Sequence, residues 1–565
     1  MLRNSLSFLL FFVMSMATGH AAFATVDAPA LDISPDKEWH IIFNADVDTA
    51  SVTPTSVYVT NGSTPVPVTL TVAGDTVTVT PHIPYTNGQT YTLIVTPDVA
   101  GVVNGERLTL NTAIEKPFTI TGGYVVGTAM SDGTFALRDT YATFAEADAT
   151  RTATESIQYD GKFLKIPTGI AATHPSRVTE FFTAPTLLGR EQYGGVEKDT
   201  ELVYVDSTEQ AVAVQVAGQT MYMKQQDTTL IPSAWMTGQS YYYVTNGLLW
   251  HAVYRPHKGM YDGAYQIGNA PSFLTAGQRY YSTDGVNFVD AQQRFVGESF
   301  AYFQYVSPRT PTTYTAAQLN DIIYTQLLQR EQSGAAQYQH ATTESPLLGL
   351  GDTLKDIEAE VDVNALFILA LAIHESNYGM SCHAKHYHNL FGLHVTDGNA
   401  VCTVPADTTN VKYFETVGDN IRAFISRITD YYINPNAMSD YRYNGAALGN
   451  KMIGMNVRYA SDPYWGAKTA GHMFRLDQVL GGQDYEAYTL GITTQRAVSV
   501  RKMPTVSAER AYQYNIAGSI KRFDRMPLTF SQTVAPNDWH RLVSELANGD
   551  DVYTAPDNAR IVQTH

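Results

Sequence analysis

The run from Ala365 to Ile373 is apolar without interruption, and it ends in His374-Glu375-Ser376. A helix that is apolar on every side belongs inside a protein core or a membrane. This run is about half the roughly 20 residues that a bilayer span needs, so a core is the setting it predicts. A chain with such a rod must wrap other elements around it. Helical spacing on either side supplies them. Leu319, Ile322, Ile323 and Leu327 follow a capping-box pair, Thr315 and Gln318, and Ile421, Phe424, Ile425 and Ile428 fall on one stripe. Residues 311–486 are therefore expected to form a mainly α domain.

The flanks read differently. The chain has 565 residues, which at about 150 residues per domain suggests three to four domains. Ser56-Val57-Tyr58-Val59-Thr60 and Thr76-Val77-Thr78-Val79-Thr80 alternate with period two, and Tyr91-Thr92-Leu93-Ile94-Val95 continues the style. Asn61-Gly62, Asn87-Gly88 and Asn104-Gly105 are tight-turn dipeptides between such strands. Short, evenly spaced strands predict an immunoglobulin-like sandwich over residues 25–120. Residues 121–310 stay β-rich. The alternating run Gln210-Ala211-Val212-Ala213-Val214-Gln215-Val216, with Met221-Tyr222-Met223-Lys224 after a turn, predicts an SH3-like barrel near residues 162–232. Tyr241-Tyr242-Tyr243 and Tyr280-Tyr281-Ser282-Thr283-Asp284-Gly285 are either a buried strand face or a sugar-stacking surface. Alternation returns at Ala497-Val498-Ser499-Val500-Arg501, so residues 487–565 are expected as a C-terminal SH3-like module.

Charge and the N-terminus limit the setting. Lys plus Arg is 37 against 54 for Asp plus Glu, a net charge of −17 that argues against a nucleic-acid partner. Arg3, the apolar run Leu6 to Met16 and Ala22-Phe23-Ala24 fit a secretory signal over residues 1–24. A retained anchor is the alternative, disfavoured by the shortness of the apolar run, and no later segment is long enough to span a membrane. Export permits disulfides, and Cys382 and Cys402 are the only cysteines. They are expected to pair; two free thiols are the alternative.

Glu375 carries the chemistry. Buried helices rarely hold a carboxylate unless it is paired or functional. At the end of an apolar helix, burial and the negative end of the helix dipole both favour its protonated form. A carboxyl kept neutral beside a cleft is what glycosidic cleavage needs as a general acid. The plainer alternative is a solvated helix-end glutamate before a Gly379 cap. His374-Glu375 lacks the second histidine of a zinc-protease helix, since position 378 is Tyr378. Five nearby histidines match no standard zinc spacing. No metal and no organic cofactor is expected.

The run Ala372-Ile373-His374-Glu375-Ser376-Asn377-Tyr378-Gly379-Met380-Ser381, then Asn389-Leu390-Phe391-Gly392, then Gly454-Met455-Asn456-Val457-Arg458-Tyr459-Ala460-Ser461-Asp462-Pro463-Tyr464-Trp465-Gly466, resembles glycoside hydrolase family 73. Its members are bacterial peptidoglycan endo-β-N-acetylglucosaminidases of the autolysin type. The first β segment resembles bacterial Ig-like modules, and the last a bacterial SH3-like wall-binding module. The fold implied is a lysozyme-like, mainly α catalytic domain flanked by all-β modules.

The resemblance implies Glu375 as the catalytic acid, Asp397 as a second acidic position and Tyr459 as a residue of the reacting subsite. Tyr378, Asn389, Phe391, Asp462, Tyr464 and Trp465 are implied as substrate-binding or structural neighbours. His388 stands where the family has an asparagine and Ala467 where it has a glutamate. A Cys382–Cys402 bridge would pin the loop bearing Asp397. Asp397 could then act as base on a water, giving inversion, or the substrate acetamido group could attack. The expected protein is secreted and wall-associated, with peptidoglycan glycan strands as its partner and anionic wall polymers as a second one. A muramidase or lytic transglycosylase, and a non-catalytic wall-binding protein, are the alternatives.

Overall fold

The computed structural model describes residues 24 onward, except 27–32, 34, 36, 84, 87–88, 104–105, 121–122, 396–401, 403–412, 438–441, 515–524, 533–535 and 548. The expected signal segment therefore lies outside the described residues, apart from Ala24, which begins a strand, Ala24–Val26. Asp397 and the turn dipeptides at 87–88 and 104–105 also lie outside them. The described chain is multidomain, with β sheets before and after a helical segment. It divides into two compact units: residues up to 169 with 207–209 and 230–235, and residues 170–206, 210–229 and 236–565.

In the first unit, the alternating strands form an antiparallel sandwich. Trp39–Phe43 pairs with Thr76–Pro81, and Val57–Asn61 with Thr90–Val95. Period-two alternation sends Ile41, Val57, Val59, Val77, Val79, Leu93 and Val95 inward, and all are buried. Trp39 fills the centre, with its ring 4.8 Å from that of Phe118. A further sheet follows, in the order Phe135–Tyr141, Tyr124–Ala129, Ser156–Tyr159, Lys162–Lys165. The strand at Lys162 thus pairs with Ser156–Tyr159 and is not the first strand of the barrel-like region expected from 162.

In the second unit, strands Gln192–Val196, Thr179–Phe182, Gln219–Lys224 and Ala211–Val216 hydrogen-bond in that order. Tyr241–Thr245, Leu248–Arg255 and Met260–Asn269 make a three-stranded sheet. The helical segment contains α1 (Ala316–Gln332), α2 (Gly351–Val361), α3 (Ala365–Ser376), α4 (Cys382–Tyr387), α5 (Val417–Arg427) and α6 (Trp465–Leu480). Thr315 and Gln318 form the expected capping box at the start of α1. The rod α3 is buried from Ala365 to Ile373, as its all-apolar sequence requires, and it packs against α6 and α2. A seven-stranded antiparallel sheet closes the chain, running in sheet order from Arg510–Gln513 to Ala559–Ile561.

Candidate active site

Asn364 caps α3 by accepting the amide of Phe367, and the helix runs to Ser376. It stops there because Asn377, Tyr378 and Gly379 take φ values of +53°, +61° and +75° in succession. Two non-glycine residues in the left-handed region need support from their surroundings. They have it. The Tyr378 amide donates to the Ile373 carbonyl at 3.0 Å, the Ser345 hydroxyl to the Tyr378 carbonyl at 2.9 Å, and the Tyr338 hydroxyl to Asn377 Oδ1 at 2.7 Å. Only glycine suits the third position, where a Cβ would stand 2.3 Å from Ser345 Oγ. The helix thus ends at Asn377, two residues before the glycine cap read from the sequence. Glu375 lies in its last turn.

The Glu375 side chain is part-exposed. Its Oε1 accepts a hydrogen bond of 2.8 Å from Trp465 Nε1, and the Tyr459 hydroxyl also bonds to its carboxyl. Among the described residues no Lys or Arg forms an ion pair with it. Burial raises its pKa above the ordinary glutamate value, while the Trp465 and Tyr459 bonds pull in the opposite direction. Desolvation wins, so the proton is retained to higher pH than on a free glutamate. Tyr459 is itself held neutral, its pKa raised well above 10 by burial first and then by the Glu375 charge.

Aromatic packing fixes these two donors. Trp465 opens α6, is 3 % exposed, and its ring lies 4.5 Å from that of Tyr459. Gly466 lets α6 start there: a Cβ on it would meet the Gly449 carbonyl oxygen at 2.1 Å. Tyr459 also touches Phe424 at 6.1 Å and Tyr432 at 5.6 Å. Phe391 stacks flat on Phe424, 3.8 Å apart. The motifs around Phe391, Tyr459 and Glu375 therefore converge through a row of rings.

The remaining expected residues separate from this centre. Asn389 is 1 % exposed and spends its side chain on the backbone of Leu393, donating to the carbonyl and accepting from the amide, both at 3.0 Å. It shapes the loop that carries Phe391. Tyr378 is 6 % exposed, and its hydroxyl accepts from Arg330 Nη2 at 2.5 Å, with that guanidinium 4.3 Å from the ring. Asp462 pairs with Lys468 at 2.6 Å and accepts the Tyr464 amide. Tyr464 turns from Glu375 toward His251 and Tyr265, at ring distances of 4.7 and 6.2 Å. Cys382, the first residue of α4, is joined to Cys402 by a disulfide.

Two features escaped the sequence. One is the direct bond of Trp465 to the acid. The other is a group of bases beside α3. His374 lies 5.6 Å from His472, whose Nδ1 accepts from Arg475 Nη2 at 2.8 Å, and burial pushes the His374 pKa down to about 4. His472 and Arg475 are three apart on α6, a helical-face signal that could have been read once α6 was placed. Among the described residues no three His, Cys, Asp or Glu side chains gather as metal ligands.

Residues 351–478 match the family described as mannosyl-glycoprotein endo-beta-N-acetylglucosaminidase, and residues 21–119 match a bacterial Ig-like domain. Putative endo-beta-N-acetylglucosaminidases of two Streptococcus pneumoniae strains are each 30 % identical over 278 residues, 49 % of this chain and 36 % or 34 % of theirs. The chain thus matches about a third of the length of these curated relatives. The crystal structure of S. aureus autolysin E is similar at 18 % identity, covering 34 % of this chain and 81 % of that one, with a TM-score of 0.23. The N-terminal part of the S-layer protein SbsC is similar at 14 % identity, covering 38 % and 44 %, with a TM-score of 0.19. The chain is a multidomain protein that carries a glucosaminidase domain of glycoside hydrolase family 73 at residues 351–478 and a bacterial Ig-like domain at residues 21–119.

Proposed function

We propose that this protein is a secreted, wall-associated endo-β-N-acetylglucosaminidase that hydrolyses peptidoglycan glycan strands after N-acetylglucosamine. The carrying observation is Glu375: a carboxyl at the end of a buried helix, without a basic partner among the described residues, facing two aromatic donors. Burial favours its protonated form, the form a general acid needs. That proton passes to the glycosidic oxygen as the bond from that oxygen to the anomeric carbon breaks. The carboxylate left behind is the form that Trp465 Nε1 and the Tyr459 hydroxyl stabilise. The same pair that moderates the pKa at rest therefore receives the charge produced by the reaction. The anomeric centre is completed by a water, either with Asp397 as its base or after attack by the substrate acetamido oxygen. A proton lost from that water restores Glu375 or is released to solvent.

In this reading residues 1–24 are the secretion signal, residues 311–486 form the catalytic domain, and the β modules hold it on the wall. Tethering raises the local concentration of cleavable strands without any new contact at Glu375. The C-terminal module, the least acidic segment, is assigned the anionic polymers. Phe391 and Asn389 act by positioning Tyr459 and the loop beside it. The family match at residues 351–478 and the named relatives support the reaction class. The test is mass spectrometry of purified peptidoglycan digested with wild type and Glu375→Gln. New reducing ends at N-acetylglucosamine, absent with the variant, are expected. Reducing ends at N-acetylmuramic acid, or digestion by the variant, would overturn the proposal.

A further inference from the structure

The tyrosine clusters at 241–243 and 280–281 have no part in the Glu375 chemistry, yet they meet at a cavity. This cavity lies within the second unit and measures about 290 Å³. Small-molecule pockets begin near about 300 Å³. Tyr242, His251, Tyr265, Tyr281 and Tyr464 are in its walls, and Glu375, Tyr459 and Trp465 are not. The exposed residues Val203, Thr283 and Gln293 rim it, so it communicates with solvent.

The charges that line it are settled with one exception. His251 stacks flat on Tyr242 at 4.1 Å, bonds the Tyr265 hydroxyl at 3.0 Å, and is kept neutral by burial, which pushes its pKa down to about 3. Asp284 accepts from the amides of Val286 and Asn287, from Ser282 Oγ and from Asn287 Nδ2. Lys451 turns its ammonium to the carbonyls of Asn456, Val457 and Ala460. Lys468, behind the rings of Tyr265 and Tyr464, is matched by Asp462. Glu201 is the exception. One of its oxygens accepts from the Ser240 amide at 2.7 Å and the Ser240 hydroxyl at 2.9 Å, and the Gln239 side chain also hydrogen-bonds the carboxyl, so all of its partners are neutral. Among the described residues no Lys, Arg or His comes within ion-pair distance of it. A carboxylate walled by tyrosines and lacking a counter-charge is an unfinished ion pair.

We propose that this cavity is a binding site for a primary ammonium group on a short chain or a sugar ring, with Glu201 as its counter-ion and the tyrosine rings as its walls. A carboxylate and an ammonium form a charge-assisted hydrogen bond, and ring faces attract the same cation. A lysine-type side chain of a peptide and a free amino sugar share this chemistry. Burial pushes the Glu201 carboxyl up to about 7, so the site is charged above that pH and neutral below it.

The test is calorimetric titration of the full chain with matched pairs. Nα-acetyl-lysine amide is compared with Nα-acetyl-norleucine amide, and glucosamine with N-acetylglucosamine. In at least one pair the amine should bind about tenfold or more tighter, as expected for a hydrogen bond to a charged group. That advantage should vanish in Glu201→Gln and shrink as pH falls below about 7. The pair that shows it names the source, peptide or sugar. Tyr281→Ala removes a wall without touching the carboxyl and should weaken the same amine, so a misfolded Glu201→Gln leaves the proposal testable. Equal binding within both pairs, no binding of either amine, or unchanged binding in both variants would overturn it. The probes contain no glycosidic bond between sugars, so this result stands apart from the hydrolase reading.

Discussion

Glu375 and Glu545 are both glutamates gripped by two aromatic donors, and they are built for different ends. Glu545, in the C-terminal sheet region, takes the hydroxyls of Tyr443 and Tyr514 on its two oxygens, and Arg309 donates to its backbone carbonyl. It is fully enclosed, and burial pushes its pKa up to about 7. Glu375 has an equivalent pair of donors in Trp465 and Tyr459, but its side chain is part-exposed at the end of a helix. Burial raises both pKa values. Access separates them: a proton on Glu545 has nowhere to go except through unfolding, whereas one on Glu375 can leave to a ligand. A shifted pKa alone is therefore a poor mark of catalysis in this molecule.

The largest test of that difference is the pair of amide variants. Glu375→Gln should lower wall-lytic turnover by about a thousandfold or more, the scale of losing a general acid, while Glu545→Gln leaves turnover within a few fold. Lysis assays on the two purified proteins decide it; comparable losses would erase the distinction. Next, Trp465→Phe keeps the ring and removes the donor. Turnover should fall about 10–100-fold, as for a hydrogen bond to a charged group. Because that donor favours the charged acid, the alkaline limb of the pH–rate profile should move to higher pH.

Glu545 is expected to speak through stability. Its folded pKa lies above its unfolded one, so the folded state holds the extra proton. The stability it lends is full below the ordinary glutamate range, declines as pH rises, and is gone above about 7. Glu201 adds a contribution of the same sign. Chemical denaturation from pH 4 to 8, wild type against Glu545→Gln, should show a difference of a few kcal/mol changing across this window. The smallest effect is expected from Glu375→Gln on stability. Removing a carboxyl that prefers to be neutral should stabilise the fold at neutral pH by about 1 kcal/mol or less. A clear loss of melting temperature would mean that the site is not strained by its charge.

Much of this centre was legible in the sequence because period and burial are linked. An uninterrupted apolar run can only be an interior rod, and a carboxylate at its end stands out against it. The alternating strands of the first sandwich and the Cys382–Cys402 disulfide were legible for similar reasons. Partners were harder. Alternation shows that Lys162–Lys165 is a strand but not that Ser156–Tyr159 is its neighbour. Trp465 and Tyr464 are adjacent in sequence, yet only Trp465 reaches Glu375, because the turn into α6 sends neighbouring side chains in different directions. Nothing local distinguishes them. Asn389 reads as a polar group that could hold a sugar; its use in bonding Leu393 depends on a loop closure that one-dimensional spacing does not contain.

The left-handed stop after Ser376 also sets the shape around the acid. One more turn of regular helix would extend α3 by about 5.4 Å and carry backbone and side chains past the carboxyl. The reversal at Asn377 instead withdraws the chain at once, leaving Glu375 as the final acidic projection of the rod. Lengthening that rod by a helix-favouring insertion would roof over the carboxyl, so the brevity of the helix is itself a condition for reaching the proton.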